Sequence, residues 1–191
     1  MRYRSLLATT PLISILLVTQ PAFAADAPQK KEVSEEKLAI DFFSAMCIKT
    51  GGKTEKIEER LGKAVNEIDK KTIVGNQYSM EQTEDIWAVP NSASKEPYIL
   101  SVTKSGICYV GLNASNAAKL RQDFKGFVSA QAAQIKSAVE VKNPDVQVPE
   151  GMAMDFYDVK IPRANHVIKF SLAVPSDSNP AIRSTMTIAS E

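Results

Sequence analysis

The stretch YILSVTKSGICYVGL, residues 98–112, decides the architecture. Two runs rich in β-branched and aromatic residues, Tyr98 to Thr103 and Ile107 to Leu112, flank Lys104-Ser105-Gly106, a glycine-containing turn of hairpin length. Short turns join antiparallel neighbours, so this segment predicts an antiparallel sheet. Alternation places Cys108, Val110 and Leu112 on one face of the second run, and a core-facing Cys108 suits a bond to a packed helix. Just upstream, Ile86 to Val89, ended by Pro90, reads as a third short strand.

Two helices are predicted ahead of these strands. Ser34 can cap the first, Glu35 and Glu36 suit its N-terminal dipole, and Leu38, Phe42, Ala45 and Met46 recur at helical spacing before Gly51-Gly52. The second begins near Thr54, with Ile57, Leu61, Ala64, Val65 and Ile68 on one face and Gly62 inside it. Its charge runs, Glu55 to Arg60 and Glu67 to Lys71, fall on the opposite, solvated face, with Glu67 and Lys71 at helical i,i+4 spacing.

Downstream, Ser115 or Asn116 can cap a long helix carrying Leu120, Phe124, Phe127, Val128, Ile135, Ala138 and Val139. Within it, Gly126 suggests close packing or a kink. Residues 140–151, with two prolines and a glycine, read as a connector, followed by strands at Met152 to Lys160, Val167 to Val174 and Ile182 to Ala189. The expected fold is α+β: two N-terminal helices, an antiparallel strand triplet, a long helix and a second strand triplet, in a single domain over residues 34–191. Spacing leaves open whether the triplets share a sheet. Phe42, Ile57, Leu61, Trp87, Cys108, Val110, Leu120, Phe124, Phe170 and Leu172 are the expected core.

The full chain has 191 residues, 44% of them hydrophobic and 24% charged, with 23 Lys+Arg against 22 Asp+Glu. Such proportions support one core and lack the single-sign charge of a nucleic-acid-coating protein. Arg2 and Arg4, an apolar run from Leu6 to Val18, and Ala22-Phe23-Ala24 form the three-part layout of a secretory signal over residues 1–24, with cleavage expected between Ala24 and Ala25. The run is shorter than the roughly 20 residues a membrane span needs, so no transmembrane anchor is expected in the mature chain. Residues 25–33 read as a flexible lead-in. Export to an oxidising compartment, periplasmic or extracellular, makes the two cysteines, Cys47 and Cys108, an expected disulfide.

The segments FFSAMC (42–47), DIWAVP (85–90) and YILSVTKSGICYVG (98–111) resemble a group of small exported two-cysteine proteobacterial proteins of unassigned function. In that group the first cysteine lies on the opening helix, a Trp-x-Val strand follows, and the second cysteine stands just after a glycine turn. The resemblance implies a fold and an export route, and it carries no catalytic residues. Some members carry a lipid anchor; this chain lacks the cysteine at the cleavage site that such an anchor uses.

Motifs for chemistry are sparse. Cys47 falls at the C-terminal end of its helix, where the dipole disfavours a thiolate, and His166, the only histidine, has no partner fixed by spacing. Two cysteines and one histidine show no metal-ligand spacing, and neither GxSxG nor a glycine-rich phosphate loop occurs. Asp155 and Asp158 read as decoration of a strand rather than a hydrolytic pair. No catalytic residue, cofactor or metal site is therefore expected. The expectation is a non-enzymatic exported protein that binds a protein or another envelope component, as an inhibitor, an immunity-type antidote or an assembly accessory. The competing class is a periplasmic hydrolase using carboxylates that spacing does not reveal.

Overall fold

The computed structural model describes residues 33–62, 66–67, 83–142, 148–176 and 183–190. The expected signal and nearly all of the lead-in therefore lie outside the described residues, as do Ala64, Val65, Ile68, Lys71 and Ile182.

Helix α1 (Glu35–Phe43) starts as its sequence dictates: the Ser34 side chain accepts from the Lys37 backbone N–H, with Glu35 and Glu36 in the first turn. It continues into a π-helical turn, Ser44–Ile48, that carries Cys47. Gly51 and Gly52 then end the segment, with φ of +66° and +65°. At Gly52 the glycine is needed twice over, because a Cβ there would stand 2.7 Å from the Gly106 carbonyl oxygen. The end of the first helix is thus pressed against the turn of the hairpin, and this approach brings Cys47 to Cys108.

Helix α2 (Thr54–Leu61) is shorter than its apolar pattern suggests. Gly62, expected inside the helix, caps it at φ +64°. Strand β1 (Asn66–Glu67) is already extended, so Glu67 is not on a helix, and Lys71, its expected i,i+4 partner, lies outside the described residues. The first charge run holds as read: Glu55, Lys56, Glu58, Glu59 and Arg60 are all exposed, opposite the buried Ile57.

Strands β2 (Thr83–Val89), β3 (Tyr98–Thr103) and β4 (Cys108–Leu112) precede helix α3 (Ala117–Gln134), and β5 (Val139–Lys142), β6 (Met152–Lys160), β7 (Val167–Pro175) and β8 (Ser184–Ser190) follow it. They form one eight-stranded sheet in the order β1-β2-β3-β4-β8-β7-β6-β5, antiparallel throughout. The α+β class is as expected, and the question that spacing left open is answered by β4 pairing with β8 from Cys108↔Ile188 to Leu112↔Ser184, which joins the two triplets, while a further short strand not expected from the sequence stands at each edge.

Helix α3 is capped by Asn116, whose side chain accepts from Lys119 N at 2.9 Å, leaving Ser115 free for another role. The helix stops at Gln134 instead of Val139. The Lys136 and Ser137 amides donate back to the Ala133 and Ala132 carbonyls at 3.0 and 2.9 Å, a Schellman end whose left-handed position, φ +56°, is held by Lys136. The freed chain turns back as β5, so the expected connector 140–151 begins with paired strand. Gly126 is exposed, and a Cβ there would meet nothing within 4 Å, so it serves neither close packing nor any contact. Gly126→Ala is accordingly expected to raise stability by about 0.5–1 kcal/mol, read as a higher urea midpoint at constant m-value.

Helices α1 and α3 pack together on one face of the sheet. Phe43, Leu120, Phe124 and Val128 from the helices meet Leu100, Val110, Leu172 and Met186 from the strands in one core. Of the ten expected core positions eight are buried; Phe42 and Leu61 are only partly buried and pack against its margin.

Candidate functional site

Cys47 and Cys108 form a disulfide with Cα atoms 5.5 Å apart across a separation of 61 residues, and both are fully buried. The bond ties the first helix to the strand at the sheet's central joint. With both sulfurs in this bond, Cys47 has no thiol to offer as a nucleophile.

The remaining sequence candidates do not converge. His166 is exposed in the turn between β6 and β7, where its carbonyl accepts from Ile161 N at 3.0 Å. Asp155 and Asp158 are three apart on one strand and therefore project to opposite faces. Asp155 lies on the helix side, where Arg121 of α3 grips it with Nε at 2.7 Å and Nη2 at 2.6 Å. That hydrogen bond also holds the Arg121 guanidinium above its usual pKa. Asp158 lies on the other face, opposite Lys169. Among the described residues no group of three His, Cys, Asp or Glu side chains is gathered as a metal site.

Spacing alone did not single out a buried polar cluster at the start of α1. Glu36 is only 3% exposed, and the Ser115 hydroxyl donates to its Oε1 at 3.2 Å. Nearby in register, Ser184 lies opposite Leu112, and Tyr98 begins the strand beside it. The Tyr98 hydroxyl, Ser184 Oγ and Asn113 Oδ1 are buried with no hydrogen-bond partner among the described residues. Burial, with the Glu35 charge second, pushes the Tyr98 phenol up to about 12, and Phe42 stacks on its ring at 4.6 Å. The signal for Glu36 was in the pattern: Ala39, Ile40 and Phe43 follow it at offsets of three, four and seven, which places it on the core face. The Ser115–Glu36 bond, its hydroxyl end exposed, joins the loop before α3 to the first turn of α1.

The opposite face of the sheet differs. Over β2 and β3 it is closed, with Ile86 and Ile99 in a small buried second cluster beside Ala88 and Tyr109, and Ser101 buried on the same face. Burial raises the Tyr109 phenol pKa. Over β6, β7 and β8 the face opens into a half-buried floor of small and hydroxyl side chains. Thr185 lies opposite Ala173 and Thr187 opposite Ser171. Met154 and Phe156 stand beside them on β6, and Lys142, Asp158 and Lys169 border Phe156 on the same face. This part of the face therefore has an apolar centre of methionine and phenylalanine with a charged border.

Among the described residues no helix is long and apolar enough to cross a membrane. Comparison with protein-family models, with characterised proteins and with solved structures finds no match to this chain.

Proposed function

We propose that this is an exported, periplasmic protein that acts by binding a protein or another envelope component, without catalysing a reaction. The open sheet face of Met154, Phe156, Ser171, Ala173, Thr185 and Thr187 carries this reading. Its small side chains let a partner approach the sheet closely, and its two large apolar groups supply anchors. The buried disulfide suits an oxidising compartment and stiffens the scaffold behind that face. The signal-like N-terminus and the resemblance to small exported two-cysteine proteins agree with export.

A hydrolase would need carboxylates open to a substrate. Glu36 is buried in the first turn of α1, Asp155 is gripped by Arg121, and Asp158, at the border of the open face, has Lys169 rather than a second carboxylate opposite it. Support therefore falls to the binder. Phe156→Ser and Ser171→Lys, each with an unchanged circular dichroism spectrum, are expected to weaken capture of the partner from periplasmic extract by about tenfold or more, as loss of a central anchor does. Capture equal to that of the wild type for both variants would remove this face from the account. Loss of function in His166→Gln at unchanged stability would favour the hydrolase.

A further inference from the structure

We propose that a second copy of this chain pairs with the free edge of β5, joining two eight-stranded sheets across a twofold axis centred on Val141. The proposal uses a sheet edge, not the open face, and stands independently of the partner-binding reading.

Strand β5 ends the sheet: β6 pairs along one side of it, and no described strand lies beyond the other. An unpaired edge offers a row of backbone donors and acceptors to another extended chain. This edge carries no proline. Val141, on the helix-side face, is 62% exposed, the highest value among the exposed large apolar side chains of the described residues. At the neighbouring end of α3, Ile135 is 38% exposed.

Charge and symmetry identify the occupant. In an antiparallel pair, residues directly opposite one another project to the same face. A twofold axis perpendicular to the sheet keeps each copy's faces in place, so it must pass through a residue pairing with itself. Centred on Glu140, the pairing opposes two carboxylates; centred on Lys142, it opposes two ammonium groups. Centred on Val141, it opposes the two valines and sets Glu140 of each copy against Lys142 of the other, twice. Within one chain Glu140 already attracts Lys142 at 2.6 Å and Lys160 at 3.7 Å, so the dimer extends an existing set of opposite charges. Charges of one sign on an edge strand repel a second copy; here the alternation Val-Glu-Val-Lys makes the edge complementary to itself. The α3 helices of the two copies then lie on the same side, with Ile135 of each toward the joint.

Sedimentation equilibrium of the purified protein tests this. The wild type is expected to dimerise with a dissociation constant of about 100 μM or tighter, in the range of small interfaces. Glu140→Lys alone and Lys142→Glu alone should each weaken self-association at least about tenfold, because each opposes like charges at both positions. An equimolar mixture of these two variants should form a heterodimer, and the double exchange should restore the homodimer. Both substituted positions are solvent-accessible, and unchanged melting curves will show that the fold is kept. A wild type that stays monomeric at about 100 μM overturns the proposal. So does a dimer indifferent to the single exchanges, or a mixture that fails to associate.

Discussion

Replacing Cys47 and Cys108 together by alanine is expected to lower the unfolding free energy by about 4 kcal/mol, as loop closure in the unfolded chain predicts for a loop of this length. The bond spans 61 residues, from the π-helical turn after α1 to the first residue of β4, so its removal frees all of α2 and the first three strands in the unfolded ensemble. For a domain of this size the melting temperature should fall by about 8–16 °C. The native packing that surrounds the sulfurs also loses contacts, since both residues are fully buried, and this adds to the loss. Reduction of the wild type should reproduce most of the shift. A change below about 1 kcal/mol would mean that the Gly52–Gly106 contact alone holds this junction.

Phe124→Ala is the second large effect, expected to cost about 3–5 kcal/mol. Phe124 is fully buried where α1, α3 and the sheet meet, with ring centroids 5.9 Å from Phe43, 6.2 Å from Phe127 and 6.1 Å from Tyr157. Truncation removes apolar burial and three aromatic contacts at once, and neighbours on three different elements cannot all relax into the space. Phe127→Ala, at a partly exposed position three residues along, should cost markedly less. Equal losses for the two in urea titration would show that α3 is rotated relative to this packing.

The parts of this fold that announced themselves in sequence did so through local chemistry. Ser34 and Asn116 are side-chain caps, Gly51-Gly52 is a left-handed stop, and alternation in Ile168, Phe170, Leu172 and Val174 matches the buried face of β7. The end of α3 was illegible because its left-handed position is a lysine; no glycine or proline marks Lys136, and Val139 happens to continue the helical period. Gly62 misled in the opposite way, as a glycine within an apolar period that α2 does not complete. The β4–β8 joint is a tertiary pairing between segments more than 70 residues apart, and no local pattern encodes it. At the candidate site, Phe156 and Met154 occupy the less buried face of β6, and only knowing that α1 and α3 pack on the sheet's other face gives them meaning. The edge strand β5 was hidden inside the expected connector because four alternating residues carry too little signal to outweigh the prolines beyond them.

Hydroxyl-radical footprinting of the protein, alone and in periplasmic extract, tests the central claim most directly. Side-chain oxidation at Met154 and Phe156 reports on the open face, while Met46 reports on the helix side. Partner binding through the open face predicts a loss of reactivity at Met154 and Phe156 in the extract, with Met46 unchanged. Unchanged reactivity at both β6 residues, with protection appearing on the helix side instead, would contradict it.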